Sequence, residues 1–140
     1  MKILVAVDGS DFTKRMLAYL AAHDEWLGDK HQYTVLNVAP AVPPRAAAVV
    51  DKALLRAHYE DESNRVFKPI RTFCAKQGIA AEFVMKVGNA AEQISAQAEK
   101  GKFDMVILGS HGHGSLANLV LGSVATKAIA NCQVPVLVVR

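Results

Sequence analysis

The stretch Lys2-Ile-Leu-Val-Ala-Val-Asp8-Gly9-Ser10 begins with a strand and ends where a helix starts. Residues 2–7 form a continuous apolar run with β-branched members, which is typical of a strand buried on both faces of a sheet. Asp8-Gly9-Ser10 interrupts that run, and Ser10 is placed to cap the following helix. A buried strand and its helix are thus the first unit of an alternating pattern.

The alternation continues along the chain. Strands separated by helices imply right-handed crossovers and parallel pairing. The order βαβαβαβαβ predicts an α/β fold, a three-layer open parallel five-stranded sheet with helices on both faces, as one domain over residues 1–140. Further strands are predicted at 33–38, 81–87, 103–108 and 136–139, with the last helix at 123–131 facing Val124, Ala128 and Ile129 inward.

The segment between the second and third strands is the hardest to assign. Three prolines between residues 40 and 44 predict a loop. Residues 45–77 have a helical composition, and Pro69 within them predicts a kink or two consecutive helices.

Composition excludes several classes of protein. The 140 residues are 51% hydrophobic and 21% charged, which excludes intrinsic disorder. The net charge of +3 is scattered, so no nucleic-acid partner is expected. A membrane span needs about 20 apolar residues, and none is expected here. The apolar run after Lys2 is too short for a secretory signal. A cytoplasmic protein with reduced, buried thiols at Cys74 and Cys132 is expected.

A ligand crevice is predicted at the carboxyl edge of the sheet, where the strand order of such folds reverses. The two most completely apolar strands, 2–7 and 103–108, are expected to be central. Asp8-Gly9-Ser10 follows the first, and Gly109-Ser-His-Gly112-His113-Gly114-Ser follows the second. If the two strands are neighbours, these segments line one crevice.

The glycines of the second segment favour a phosphate site. Gly109, Gly112 and Gly114 allow close backbone approach and positive φ, so that amide N–H groups can converge on an anion. Gly122-Ser123 opens the last helix, whose N-terminus favours phosphate. Two known phosphate loops fit poorly: Ser115 stands where a nucleotide-hydrolase loop needs lysine, and the dinucleotide pattern at 112–117 follows the wrong strand.

Other interpretations of these residues remain open. Asp8 could simply begin a turn, residues 109–114 could be a surface turn, and Ser123 could be a helix cap when no ligand is bound. His111 and His113 lack a third ligand for zinc. A triad of Ser110, His111 and Asp8 is disfavoured, because adjacent Ser and His side chains seldom hydrogen-bond as nucleophile and base.

The segment Gly109-Ser-His-Gly112-His-Gly-Ser-Leu-Ala-Asn-Leu-Val-Leu-Gly122-Ser123 resembles the ATP-binding motif of the universal stress protein family, G-x2-G-x9-G-[ST]. Residues 3–10 and 134–139 are similar to that family's first and last strands, so the resemblance spans essentially the whole chain. It implies the family's ATP-binding branch and a Rossmann-like sheet of order 3-2-1-4-5, with a nucleotide across the tops of strands 1 and 4.

The resemblance also implies roles for individual residues. The motif glycines and Ser123 would hold the ribose and phosphates, with His113 near the phosphates. Asp8 would lie by the adenine and ribose, and the backbone of Val38 would face the adenine edge. Mg²⁺ or Mn²⁺ would accompany the phosphates rather than occupy a protein-built site. The predicted cofactor-binding set is Asp8, Gly9, Val38, Gly109, Gly112, His113, Gly114, Gly122 and Ser123, with no catalytic or metal-binding residue.

The last strand, 136–139, is apolar and expected at a sheet edge, which invites pairing with another strand. The resemblance implies a homodimer through this strand, although cover within one subunit is the alternative. The expected function is an ATP-binding stress-response protein, a nucleotide-dependent switch or sensor that hydrolyses ATP slowly at most and acts on an unidentified protein partner. The alternatives are a dimeric interaction module independent of nucleotide and an enzyme that activates a substrate with ATP.

Overall fold

The computed structural model describes residues 1–114, 118 and 120–140, so positions 115–117 and 119 of the glycine motif lie outside it. Within this part of the chain, strands and helices alternate as the sequence predicts. The strands are β1 (Lys2–Val7), β2 (Gln32–Ala39), β3 (Ala81–Val87), β4 (Met105–Gly109) and β5 (Val136–Val139). The helices are α1 (Asp11–Ala22), α2 (Asp24–Leu27), α3 (Pro44–Ala47), α4 (Lys52–Gln77), α5 (Ala90–Lys100) and α6 (Ser123–Asn131).

The five strands form one parallel sheet in the order β3-β2-β1-β4-β5. The α/β fold class, the strand order and the central positions of β1 and β4 are therefore confirmed. Val5 of β1 pairs with Val35 on one side and Ile107 on the other. Because the order reverses between β1 and β4, their carboxyl ends bound the crevice of this Rossmann-like fold.

The sheet has an apolar core on each face, because successive side chains of a strand point to opposite sides. Ile3, Val5 and Val7 of β1 pack with residues of α1 and α4. Leu4 packs on the other face with residues of α5 and α6. The result is the predicted three-layer arrangement, in which four of the six residues of β1 are buried.

The helices differ from expectation in two places. Two consecutive helices do occur in residues 45–77, but they separate before Lys52 rather than near Pro69. There the Asp51 side chain accepts a hydrogen bond from the backbone N–H of Ala53 at 2.9 Å and caps α4. Pro69 sits within α4 on its exposed side. The carbonyl that Pro69 leaves without a donor can there bond to water, so the helix is tolerated.

The inward face of α6 was predicted wrongly at two of three positions. Ala128 is buried, but Val124 and Ile129 are 36% and 45% exposed. Ala125 and Ala128, three residues apart, form the buried stripe. Small side chains allow α6 to lie close to α5 and β5, so the larger residues turn outward.

The two cysteines are free, with Cys74 buried and Cys132 half-buried. Burial raises the pKa of the Cys74 thiol. Across the described ranges, we find no helix with the length and apolar character needed to span a bilayer.

Candidate functional site

A cleft of about 700 Å³ opens at the carboxyl edge of the sheet, beyond the ends of β1, β2 and β4. Its floor is apolar and comes from the last residues of those strands. Its rim comes from the loop after β4 and from the first residues of α5 and α6. The lining residues include Ala6, Val7, Asp8, Thr13, Leu36, Val38, Pro40, Gly88, Asn89, Ala90, Ile94, Leu108, Gly109, His111, Gly112, His113, Gly114, Gly122, Ser123, Val124 and Ala125.

The structure brings all but one of the predicted site residues to this cleft. The exception is Gly9, which is not among the lining residues. Its φ is +77°, and a Cβ atom there would lie 3.3 Å from Cγ2 of Val66 on α4. Gly9 therefore serves the tight turn between β1 and α1 and its contact with α4.

The Asp8 carboxylate is held in place by its own turn. Oδ1 accepts hydrogen bonds from the backbone N–H of Ser10 at 2.9 Å and from the Thr13 hydroxyl at 3.0 Å. Thr13 Oγ1 in turn accepts from the N–H groups of Asp8 and Gly9, both at 3.2 Å. These bonds fix Asp8 at the edge of the cleft. Ser10 is the N-cap of α1, but its side chain makes no capping bond.

Three motif glycines make room for protein atoms. A Cβ on Gly109 would lie 2.8 Å from Cβ of Phe12, and one on Gly122 would lie 3.0 Å from Cα of His111. A Cβ on Gly112 would lie 2.6 Å from Oδ2 of Asp8. The expectation of positive φ holds only for Gly114, at +72°, where an added Cβ would meet nothing within 4 Å.

This close packing brings the N-terminus of α6 against the loop after β4. The N–H of Gly122 donates to the carbonyl of Ser110 at 2.7 Å. Gly122, rather than Ser123, is the N-cap of α6, which corrects the alternative role considered for Ser123. Ser123 is the exposed first residue of the helix, so its hydroxyl and the first N–H groups of α6 lie at the cleft.

His113 links the two segments that frame the crevice. Its Nε2 lies 2.8 Å from the carbonyl oxygen of Asp8. Since a carbonyl can only accept, Nε2 carries the proton and donates. His113 is exposed, and this bond places its ring at the mouth of the cleft.

Ser110 and His111 do contact each other, contrary to expectation: Ser110 Oγ and His111 Nδ1 are 2.9 Å apart. The His111 ring also packs against that of Phe12, with centroids 4.9 Å apart. Ser110, however, is 0% exposed. A hydroxyl with no access to the cleft cannot attack a ligand there, so the pair has a structural role in this loop.

The end of β2 presents a backbone acceptor to the cleft. The carbonyl of Ala39 accepts from the N–H of Gly88 at 2.9 Å and therefore faces β3. Backbone groups alternate sides along a strand, so the carbonyl of Val38 faces the β1 side. The β1–β2 register ends at Val7 and Asn37, which leaves that carbonyl beyond the last pair of the ladder.

Sequence reasoning did not assign the loop between β3 and α5 to the site. Gly88, Asn89 and Ala90 line the cleft, and Asn89 caps α5 by accepting from the N–H of Glu92 at 3.2 Å. The sequence did indicate this position, because the segment follows the carboxyl end of a parallel strand, where ligands bind in such folds.

The charge of the cleft is low. Its described lining contains no Lys or Arg, and its titratable side chains are Asp8, His111 and His113. Attraction for an anion therefore comes from backbone N–H groups, the helix N-termini and the imidazoles. Among the described residues, no three His, Cys, Asp or Glu side chains form a group that could hold a metal ion.

Comparison with known proteins agrees with the fold and identifies the family. The sequence model of the universal stress protein family matches residues 1–140. A universal stress protein of Thermus aquaticus, from the QAH/OAS sulfhydrylase 3′ region, is 31% identical over 139 residues, covering 99% of this chain and 97% of that protein.

Solved structures show the same architecture. The structure of MJ0577, a universal stress protein of Methanocaldococcus jannaschii, superposes with a TM-score of 0.82 at 27% identity, over 99% of this chain and 94% of that one. A family member from Arabidopsis thaliana with AMP bound has a TM-score of 0.71 at 16% identity, over 99% and 90%. Since the family match extends from the first residue to the last, this chain belongs to the universal stress protein family.

Proposed function

We propose that the cleft binds an adenine nucleotide, with ATP as the expected ligand, and that the protein acts as a nucleotide-dependent switch or sensor in a stress response. The observation that carries this proposal is the meeting of Asp8, Val38 and the glycine loop around one cleft of about 700 Å³. That volume lies within the range of about 300–1,000 Å³ typical of small-molecule sites. Solved universal stress proteins with AMP, cAMP and dAMP bound support the same ligand class.

The two ends of the cleft suit the two ends of a nucleotide. Leu36, Val38 and Ile94 supply an apolar surface for a purine, and the Val38 carbonyl can accept a hydrogen bond from the 6-amino group of adenine. Asp8, held through Oδ1, would accept hydrogen bonds from the ribose hydroxyls. The loop of Gly112 to Gly114 and the start of α6 would take the phosphates.

The phosphate end has implications for metal and for hydrolysis. Because no Lys or Arg lines the described cleft, Mg²⁺ or Mn²⁺ carried by the phosphates would offset much of their charge. Ser110 is buried, and the His113 Nε2–H is engaged by the Asp8 carbonyl. We therefore expect hydrolysis to be slow at most, which suits a switch better than a metabolic ATPase.

The proposal includes a cytoplasmic homodimer that reports its nucleotide state to a protein partner. The last strand, β5, lies at an edge of the sheet, and its side chains at 136–138 are half-buried. A free strand edge of apolar residues favours pairing with a second copy.

Small molecules released from the freshly purified protein, identified by mass spectrometry, test the ligand directly. Titration calorimetry with ATP, ADP, AMP and adenosine then gives the preference. An adenine nucleotide in the released fraction, or saturable micromolar binding, is the expected result. No release and no heat at millimolar nucleotide would overturn the proposal.

That negative result would favour an interaction module that works without nucleotide. One observation supports this second candidate: several large apolar side chains are exposed away from the cleft, with Val49 85% and Leu54 66% exposed. Exposed apolar groups of this kind can mark protein-binding surfaces.

A further inference from the structure

A buried polar pair lies at the ends of β1 and β2, the strands whose last residues line the cleft. Asn37 of β2 is 6% exposed and Ser63 of α4 is 1% exposed. The Ser63 hydroxyl donates to Oδ1 of Asn37 at 2.8 Å. The Asn37 amide nitrogen donates to the carbonyl of Val7, the last residue of β1, at 2.9 Å.

The chemistry of the partners determines the orientation of the Asn37 amide. The Val7 carbonyl can only accept, so the amide nitrogen faces it and the amide oxygen is left for the Ser63 hydroxyl. Tyr33 and Val35, at alternate positions before Asn37 on β2, belong to the apolar core with Phe67 of α4. A polar side chain on this face costs free energy unless it is hydrogen-bonded, and here both the amide nitrogen and the amide oxygen of Asn37 have a partner.

The position of the pair connects it to the cleft. Val7 and Asn37 are the last register partners of β1 and β2. The residue that follows each of them in the chain is a predicted site residue that lines the cleft, Asp8 after Val7 and Val38 after Asn37. The amide therefore bridges the two strands at the point where their ladder ends and their site residues begin.

We propose that Asn37, oriented by Ser63, is a positioning residue for purine recognition. It holds the ends of β1 and β2 at the separation that presents Asp8 to the ribose and the Val38 carbonyl to the 6-amino group of adenine. The inference rests on the proposed nucleotide site and adds to it the residues that determine its choice of base. It also makes α4 a support of that site, although Ser63 itself does not line the cleft.

The test compares two nucleotides on the full-length protein by titration calorimetry. AMP and IMP share the ribose and the phosphate, but IMP has a carbonyl where AMP has the 6-amino group. The parent is expected to prefer AMP, because the Val38 carbonyl accepts from an amino group and repels a carbonyl. Asn37→Leu, of similar volume, is expected to weaken AMP binding about tenfold while changing IMP binding less, so that the preference falls.

Ser63→Ala removes one donor and is the milder change, so it provides the answer if Asn37→Leu does not fold. It is expected to lower the AMP preference in the same direction by a smaller factor. Ile70→Val is the matched control, because Ile70 is a core residue of the same helix, 1% exposed, and does not line the cleft. It should lower thermal stability and leave both affinities unchanged.

Two outcomes count against the inference and can be told apart. If Asn37→Leu and Ser63→Ala lose stability but keep the AMP affinity and the AMP preference of the parent, the pair is structural only and the inference is wrong. If the parent binds neither AMP nor IMP, the inference is wrong, and the proposed function fails with it only if ATP does not bind either.

Discussion

A Cβ atom on Gly112 would lie 2.6 Å from Oδ2 of Asp8, so the loop after β4 rests against the carboxylate that follows β1. Because Gly112 has no side chain, the Asp8 carboxylate can occupy the space beside it. Close approach of the two loops is what forms the cleft, and the same carboxylate remains at its edge. Together with the bond from His113 to the Asp8 carbonyl, this contact joins the two segments that follow the central strands.

Gly112→Ala tests that contact. The added methyl group must displace an Asp8 side chain held by two hydrogen bonds through Oδ1. We expect a loss of about 1–3 kcal/mol in unfolding free energy, the usual cost of overpacking, together with weaker ATP binding. Chemical denaturation measures the first effect. In an Asp8→Ala background, the stability loss from Gly112→Ala should shrink, because the clash has gone. Additive losses in the double variant would contradict the contact.

Gly122→Ala is expected to disturb the loop after β4 directly and to affect ligand binding as a consequence. Its Cβ would lie 3.0 Å from Cα of His111 and 3.2 Å from the carbonyl oxygen of Ser110, both backbone atoms. The N-terminus of α6 must move away, so ATP affinity should fall further than adenosine affinity, with a stability loss again of about 1–3 kcal/mol. Thermal unfolding and calorimetry with both ligands measure this. Unchanged ATP binding would show that α6 does not contribute to the phosphate site.

Ser123→Ala tests whether the Ser123 hydroxyl binds the phosphates or stabilises the folded protein. Because Ser123 is exposed and Gly122 is the N-cap of α6, its hydroxyl is not needed as a cap. Loss of one hydrogen bond to a charged phosphate should cost about 1.5–3 kcal/mol of ATP binding, with thermal stability and adenosine binding unchanged. Ser95→Ala is the control, because Ser95 Oγ is buried on α5 with no hydrogen-bond partner among the described residues. Equal ATP affinity in both variants would exclude Ser123 from the site.

The sequence was sufficient for the architecture because the signals for strands and helices are local. The apolar run at 2–7 is one inner strand of the sheet and the glycines after 108 follow another, so the carboxyl-edge rule predicted the position of the cleft. Contacts between distant residues could not be predicted in the same way. Asn37 and Ser63 are 26 positions apart, and no periodicity shows that they meet. Similarly, Val124 and Ile129 suit a buried helix face, and only the packing of α6 shows that Ala125 faces inward instead.

The raised pKa of Tyr33 predicts that the protein loses stability at alkaline pH. Burial, with a smaller contribution from the charge of Asp29, raises the pKa of Tyr33 to about 12, and its hydroxyl donates to the carbonyl of Leu27. In unfolded chains tyrosine titrates near pH 10, so between about pH 10 and 12 the unfolded state binds fewer protons. The contribution of Tyr33 to the free energy of unfolding is therefore fully present below pH 10 and decreases as pH rises toward 12.

Urea unfolding at a series of pH values from 8 to 11 measures this effect. Tyr33→Phe should be less stable than the parent at pH 8, since the Leu27 carbonyl loses its donor. The difference between the two proteins should then narrow as pH rises. Parallel stability curves for parent and variant over the whole range would show that Tyr33 ionises as readily in the folded protein as in the unfolded chain.

Val138→Pro tests the proposed dimer at its backbone. The carbonyl of Pro135 accepts a hydrogen bond from the N–H of Val106 in β4 at 2.8 Å, and the carbonyl of Val139 accepts one from the N–H of Ser110, just after β4, at 2.7 Å. Backbone groups alternate along a strand, so the N–H of Val138 faces away from β4, toward the free edge. Proline at an outward-facing edge position removes that donor and leaves the β4 ladder intact.

Light scattering during gel filtration should show a dimeric parent and a monomeric Val138→Pro variant. Val138→Thr keeps the N–H and should stay dimeric. A Val138→Pro protein that is still dimeric would place the interface elsewhere, because a strand pair at β5 needs that donor.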